Sequence, residues 1–190
     1  MKTLLISIKI FLIFMVLTGI IYSLFITGIA QLIFPSKANG SLIIKDSKVI
    51  GSELIGQQFD SAIYFTSRPS AISYNPLPSG GSNYGLTNSI LKRQVDKRRQ
   101  QFIQENQLDN SNVIPAEMLF ASASGLDPHI SKQAALLQVN RVAISRRFNE
   151  VQKQKIIACI NQLTETPVIF APYTEKVNVL LLNLEVDKIK

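Results

Sequence analysis

From Ile10 to Ser36 the chain carries no charged residue, and this stretch limits every fold open to it. As a helix rising about 1.5 Å per residue, Ile10–Phe34 would extend roughly 37 Å, more than the ~30 Å of bilayer hydrocarbon, so it can span with some tilt. The chain of 190 residues is 46% hydrophobic yet has a formal net charge of +7. Segregation reconciles the two: 24 of the first 34 residues are hydrophobic, and the remainder has the ordinary balance of a globular domain. The expected organisation is an N-terminal flank over residues 1–9, a transmembrane helix over 10–34 and one soluble domain over 35–190. A multi-span transporter, a collagenous chain and a disordered chain are excluded.

Lys2 and Lys9 could also be the positive region of a cleaved signal peptide. The apolar run, however, exceeds the roughly 7–15 residues of such a peptide and no A-x-A-like site closes it, so an uncleaved anchor is expected. Lys2, Lys9 and the α-amino group face Lys37, Lys45 and Lys48 across the span; only Lys37 lies close to the helix end. The balance favours a cytoplasmic N-terminus and an extracytoplasmic main domain. Cys159, the single cysteine, is expected on an apolar helical stripe with Ile156, Ile160 and Leu163.

Along the soluble part, apolar runs flanking Asp46-Ser47 predict a hairpin within Ser41–Gly51. Ser52–Phe59 suggests a short helical turn and Ile63–Phe65 a short strand. From Ser70 to Asn88 prolines, glycines and serines predict a long loop. Asn88 or Ser89 caps an expected helix to about Gln107. Asp127-Pro128 or Ser131 begins the next helical region, which reads as helices through about Gln138, over Asn140–Phe148 and over Glu150–Gln162. Val177–Val186 reads as a central strand apolar on both faces. The fold class is therefore α+β: one N-terminal transmembrane helix followed by a single mixed α/β domain.

Several chemistries have no sequence basis. There is no phosphate-binding loop, no G-x-G-x-x-G, no H-E-x-x-H and no C-x-x-C. With one histidine, His129, and one cysteine, neither a closed zinc site nor a Ser-His-Asp triad is expected. Asp127 and His129 fit helix capping better than a fragment of a metal site. Ser89 and Lys92 match S-x-x-K, but the companion K-T-G is missing. The basic run Lys92–Arg99 lacks interleaved aromatics and reads as a solvated helix face, not a nucleic-acid site. Arg141, Arg146 and Arg147 read as surface or partner contacts. A membrane-tethered enzyme of the cell envelope is the remaining, unfavoured class.

Two clusters stand out: Arg68-Pro69-Ser70-Ala71 with Ser79-Gly80-Gly81-Ser82-Asn83, and Ala121 to Ser131. Their small residues bring backbone N–H groups close to a neighbour, beside hydroxyls and amides that can bond it. Tight packing of these loops within the chain and a site for an anion or partner backbone both fit the residues.

The same clusters carry a family resemblance. The anchor, Ala38–Ser41, Gly51–Gln57, Phe65–Ala71, Ser79–Asn83, Ser122–Ser131, Gln138–Ala143 and Val177–Asn183 resemble, in the same order, KdpC, the C subunit of the bacterial Kdp potassium-transporting ATPase. Phe120 and Ala123 depart from the family's usual run before Leu126-Asp127-Pro128-His129, and Lys176 stands where an arginine commonly occurs. The resemblance implies a non-catalytic subunit in the bacterial inner membrane, partnered by a channel-like A subunit, a P-type B subunit that hydrolyses ATP, a small F subunit and membrane lipid. It implies assembly of the complex and raised ATP affinity of the catalytic subunit, with no cofactor or metal of its own. Two versions follow. In one, Arg68, Ser79, Gly80, Gly81, Ser82 and Asn83, together with the Ser122–His129 segment, contact partner loops outside the membrane. In the other, ATP is shared with the catalytic subunit through Ser122, Ser124, Gly125, Gln138 and Arg141, beside Asp127 and His129. A cytoplasmic nucleotide and an extracytoplasmic domain conflict, so any effect on ATP is expected to be allosteric.

Overall fold

The computed structural model describes residues 2–77, 80–166 and 175–190. The chain divides into two compact units, Met1–Ser52 and Glu53–Lys190.

The first unit opens with α1 (Lys2–Val16), a π-helical turn (Leu17–Tyr22) and α2 (Ser23–Ile33). Together they make one apolar helix over Lys2–Ile33, long enough to cross a membrane and with none of its surface buried inside the chain. Its hydroxyls are satisfied locally: Ser7 Oγ donates to Thr3 O at 3.0 Å, Thr18 Oγ1 to Phe14 O at 2.7 Å and Thr27 Oγ1 to Ser23 O at 2.8 Å. Side chains that bond their own backbone are tolerated where no water is present. The helix stops at Phe34, whose extended φ of −131° is what a following proline demands. After α3 (Pro35–Ala38), β1 (Leu42–Lys45) and β2 (Lys48–Ser52) form the expected hairpin. Asp46 and Ser47 turn with φ of 50° and 62°, the two positive angles of a type I′ connection.

The second unit is built on α4 (Ser89–Asn106), α5 (Lys132–Ser145), α6 (Glu150–Leu163) and α7 (Val179–Val186), with β3 (His129–Ser131) paired antiparallel to β4 (Lys176–Asn178). α5 packs against α4 and α6, and α6 against α7. The core consists of Ala134, Ala135, Val139, Val142 and Ala143 of α5, Ile156 and Ile160 of α6, and Val179, Leu182 and Val186 of α7, closed by Phe65, Phe102, Ile130 and Val177. Each fully buried aliphatic side chain contributes about 1.5–3 kcal/mol. Cys159 lies half-buried at the edge of this stripe, as expected, and burial pushes its thiol pKa up.

Caps account for the helix starts. Asn88 Oδ1 accepts from Ile90 N at 2.8 Å, Ser131 Oγ from Ala134 N at 3.1 Å, and Asn149 with Gln152 forms a reciprocal capping box. Ser131, rather than Asp127-Pro128, is therefore the cap of α5, and α5 runs unbroken through Asn140.

Three expectations are corrected. Of Val177–Val186 only Val177 and Asn178 are strand, within β4: Asn178 Oδ1 accepts from Leu181 N at 3.2 Å and caps the helix Val179–Val186, whose run of apolar residues leaves no period to read. Ser52–Phe59 contains no helical turn. Ile63–Phe65 pairs with no strand among the described residues; its backbone is held by side chains instead. Asn183 Oδ1 accepts from Phe65 N at 2.8 Å while Asn183 Nδ2 donates to Phe65 O at 3.0 Å, which is the pair of bonds a neighbouring strand would supply.

Candidate functional site

The two small-residue clusters, 59 residues apart in sequence at Arg68 and Asp127, meet. Arg68 Nη1 lies 2.6 Å from Asp127 Oδ2. Ser122 N donates to Pro69 O at 3.3 Å and Gly56 N to Leu126 O at 2.8 Å. Gly125 adopts a φ of +70°, and a Cβ there would stand 2.5 Å from Ile72 Cγ1. A Cβ on Gly56 would stand 2.6 Å from Asp127 O, and one on Gly81 3.2 Å from Ala123 O. At Gly56 and Gly125 any side chain would force a shift of the neighbour, while Gly81 is merely tight. The clusters thus form one layered loop pair.

Within it, Asp127 Oδ1 accepts from His129 N at 3.0 Å, with His129 Nδ1 3.6 Å away. Burial raises the Asp127 pKa, but the His129 hydrogen bonds and the Arg68 cation outweigh it and hold the carboxyl at about 2. Tyr74 Oη donates to Arg68 O, and burial pushes its phenol up to about 12. Ser70 Oγ accepts from Ile72 N at 3.2 Å and Tyr74 N at 3.0 Å, tightening the turn after Pro69. Ser124 Oγ accepts from Leu126 N at 3.2 Å. Arg68 Nε is buried with no hydrogen-bond partner among the described residues. Ser122 and Gly125 are buried, whereas Ala123, Ser124, Ser82 and Asn83 are exposed. Ser79 lies outside the described residues. Leu54, Ile55, Ala123, Leu126 and Pro128 line an open groove of about 600 Å³ beside Arg68 and Asp127.

Gln138 and Arg141 are engaged inside the protein, Arg141 at the wall of a second open cavity of about 780 Å³ that Arg68, Ser70 and Tyr74 also line. Gln138 is fully buried; its Oε1 accepts from Thr66 N at 2.8 Å, Thr66 Oγ1 at 2.9 Å and Arg141 Nη2 at 2.8 Å. Arg141 Nε donates to Asn106 Oδ1 at 2.9 Å, and its Nη1 to Ala62 O at 2.7 Å and Tyr64 O at 3.0 Å. Burial lowers the Arg141 pKa, a cost those carbonyl and amide acceptors offset. Arg146 completes the clamp: Nε donates to Ile63 O at 2.7 Å, Nη2 pairs with Asp187 Oδ1 at 2.7 Å, and the guanidinium lies over Tyr64. Arg141 and Arg146 are thus scaffold groups, not the surface contacts their charge suggests. Lys176 pairs with Glu165 at 3.3 Å on the exposed surface.

Sequence reasoning missed Asn106, Asn183, Thr66 and Tyr74. The available signal was a polar amide set between apolar helix neighbours, as Asn183 is between Leu182 and Leu184.

Residues 4–188 match the family described as KdpC, K+-transporting ATPase, c chain. The chain belongs to the KdpC family. Relatives named potassium-transporting ATPase KdpC subunit include one from Pectobacterium atrosepticum, 44% identical over 97% of this chain and 95% of the relative. Another, from Caldanaerobacter subterraneus, is 42% identical over 94% and 91%. A third, from Dechloromonas aromatica, is 43% identical over 100% and 99%. Anchor and folded unit are therefore both covered, and the chain is a potassium-transporting ATPase subunit.

Proposed function

We propose that the chain is a non-catalytic accessory subunit of an ATP-driven potassium importer, lying in the bacterial inner membrane with its N-terminus cytoplasmic and its folded unit outside. It assembles with the channel-like A, P-type B and small F subunits. It raises the ATP affinity of the P-type subunit by coupling through the complex rather than by touching nucleotide. The observation that carries this reading is the internal commitment of Gln138 and Arg141. A guanidinium and amide already bonded to Asn106, Thr66 and the 62–64 carbonyls would have to break buried bonds to reach a phosphate. The layered loop pair, by contrast, is accessible, with Ser124, Ser82 and Asn83 exposed beside the Arg68–Asp127 bridge and the apolar groove. That surface suits the backbone and side chains of neighbouring subunits' loops.

The test places one cysteine at Asn83 in a Cys159→Ala background and treats intact cells with a membrane-impermeant maleimide. Labelling of intact cells is expected; labelling only after lysis overturns the outer placement. In the purified complex a photoreactive ATP analogue should label the catalytic subunit alone. Crosslinking to this chain would overturn the allosteric version in favour of direct nucleotide contact.

A further inference from the structure

The hairpin between the apolar helix and the folded unit has two unmet demands. Its register places Leu42 opposite Ser52, Ile44 opposite Val49 and Lys45 opposite Lys48, with a bulge between Ile43 and Ile44. Opposed residues share a face and alternate residues change face. Leu42, Ile44 and Val49 therefore occupy one face, and they are 50%, 66% and 59% exposed. Lys45 and Lys48 occupy the other, directly across from one another, and neither forms an ion pair among the described residues. Like charges in opposed positions destabilise a ladder, and a two-stranded hairpin with an uncovered apolar face is marginal in water. Both features call for an environment that is apolar on one side and anionic on the other.

The position of the hairpin supplies that environment. Leu42 follows the end of α2 at Ile33 after a connection folded back on itself. Gln31 and Asn39 exchange side-chain amide bonds at 3.3 and 3.2 Å, and Ser41 N donates to Ser36 O at 2.9 Å. Ser52 Oγ donates to Gly40 O at 2.7 Å, closing the base of the hairpin. Helix end and hairpin belong to one compact unit. A helix that leaves the hydrocarbon near Ile33 would deliver the hairpin to the headgroup layer, where an apolar face backed by lysines is the pattern of an interfacial element.

We propose that the hairpin Leu42–Ser52 lies in the headgroup layer of the bilayer, with Leu42, Ile44 and Val49 at the acyl boundary and Lys45 and Lys48 binding the phosphates of anionic lipids. The proposal rests on the membrane-spanning reading of Lys2–Ile33. Charge complementarity selects lipid over a protein partner: the paired lysines meet a dense sheet of phosphates, each cation adding to attraction that salt weakens.

The chain contains no tryptophan, so a single introduced one reports its own surroundings. Full-length Ile44→Trp protein is reconstituted into vesicles of phosphatidylcholine with phosphatidylglycerol, with and without brominated acyl chains, beside a Leu24→Trp control within the apolar helix. The expected result is blue-shifted emission at position 44, quenched by brominated lipid. Lys45→Gln with Lys48→Gln should lower the ratio of bound to free hairpin by roughly fivefold per lysine, and phosphatidylcholine alone or high salt should do the same. Quenching at position 24 with water-like, unquenched emission at 44 overturns the proposal and leaves the span intact. Loss of quenching at both positions overturns the span as well. If position 44 is buried only in the assembled ATPase complex and is never quenched by brominated lipid, a partner subunit covers the face and the proposal fails.

Discussion

Asn183→Ala tests how the segment before Arg68 is held in place. Among the described residues both polar backbone groups of Phe65 bond only this one side chain, at 2.8 and 3.0 Å, and both residues are buried. Truncation to alanine leaves a buried N–H and a buried C=O, each costing about 1–3 kcal/mol. Alanine regains about 0.5 kcal/mol of helix propensity within α7, so the net loss is about 1.5–5.5 kcal/mol. Against a typical domain stability of about 5–15 kcal/mol, that is a large share. Urea unfolding of the full-length chain in detergent, followed by near-ultraviolet circular dichroism, should show a lower midpoint with an unchanged slope. Asn183→Asp should be as damaging, because its carboxylate keeps the bond from Phe65 N but faces the Phe65 carbonyl with no donor. A loss below about 1 kcal/mol for both variants would refute the argument, since it would mean water or a shifted backbone satisfies Phe65 equally well.

Two further outcomes follow from the loop pair. Gly125→Ala should destabilise by about 2–3 kcal/mol, from the positive φ together with the 2.5 Å approach to Ile72 Cγ1, and adding Ile72→Ala should recover the steric part; additive losses in denaturant midpoints would refute the contact. Asp127 should give an acid limb to stability. Its carboxyl titrates at about 2 in the fold and near 3.9 when unfolded, so its contribution is complete above about pH 4 and is lost as pH falls through 2. Melting temperatures of the native chain and of Asp127→Asn should therefore differ above pH 4 and converge towards pH 2; parallel curves would mean that neither the His129 contacts nor the Arg68 bridge stabilises the carboxylate.

The parts legible in the sequence were those whose signals are local. An uncharged run, the Asp46-Ser47 turn between apolar runs, and Asn88, Ser131 or Asn149 before helical periods each carry their cause within a few residues. Segments whose state depends on distant partners were not legible. Ile63–Phe65 has strand composition, but its ladder consists of Asn183, Arg141 and Arg146, up to 118 residues away. Val179–Val186 is apolar at all positions but Asn183 and Glu185, so neither period survives and only the Asn178 cap separates helix from strand. The small residues of the two loop clusters are legible, but their pairing rests on contacts between residues far apart in sequence: the Arg68–Asp127 ion pair, the Ser122 N to Pro69 O bond and the approach of Gly125 to Ile72. Gln138 and Arg141 were placed with the wrong neighbours because a polar residue on a helix reads alike whether it faces a ligand or a buried backbone.

That distinction decides how loss-of-function variants are to be interpreted. Residues that clamp the 62–66 segment and residues open to a partner are separate sets, so their signatures differ. A Gln138→Ala chain leaves the Thr66 N–H and the Arg141 guanidinium short of an acceptor, and any fall in complex assembly should track a fall in its own stability. Ala123→Arg and Ser82→Arg add bulk to exposed positions of the loop pair and remove no core contact. They should leave denaturant midpoints within about 0.5 kcal/mol of the parent while reducing co-purification with the other subunits of the ATPase. Normal assembly in both arginine variants, alongside normal folding, would mean that the partners bind another face, and the loop pair would then be only a structural buttress for β3 and α5.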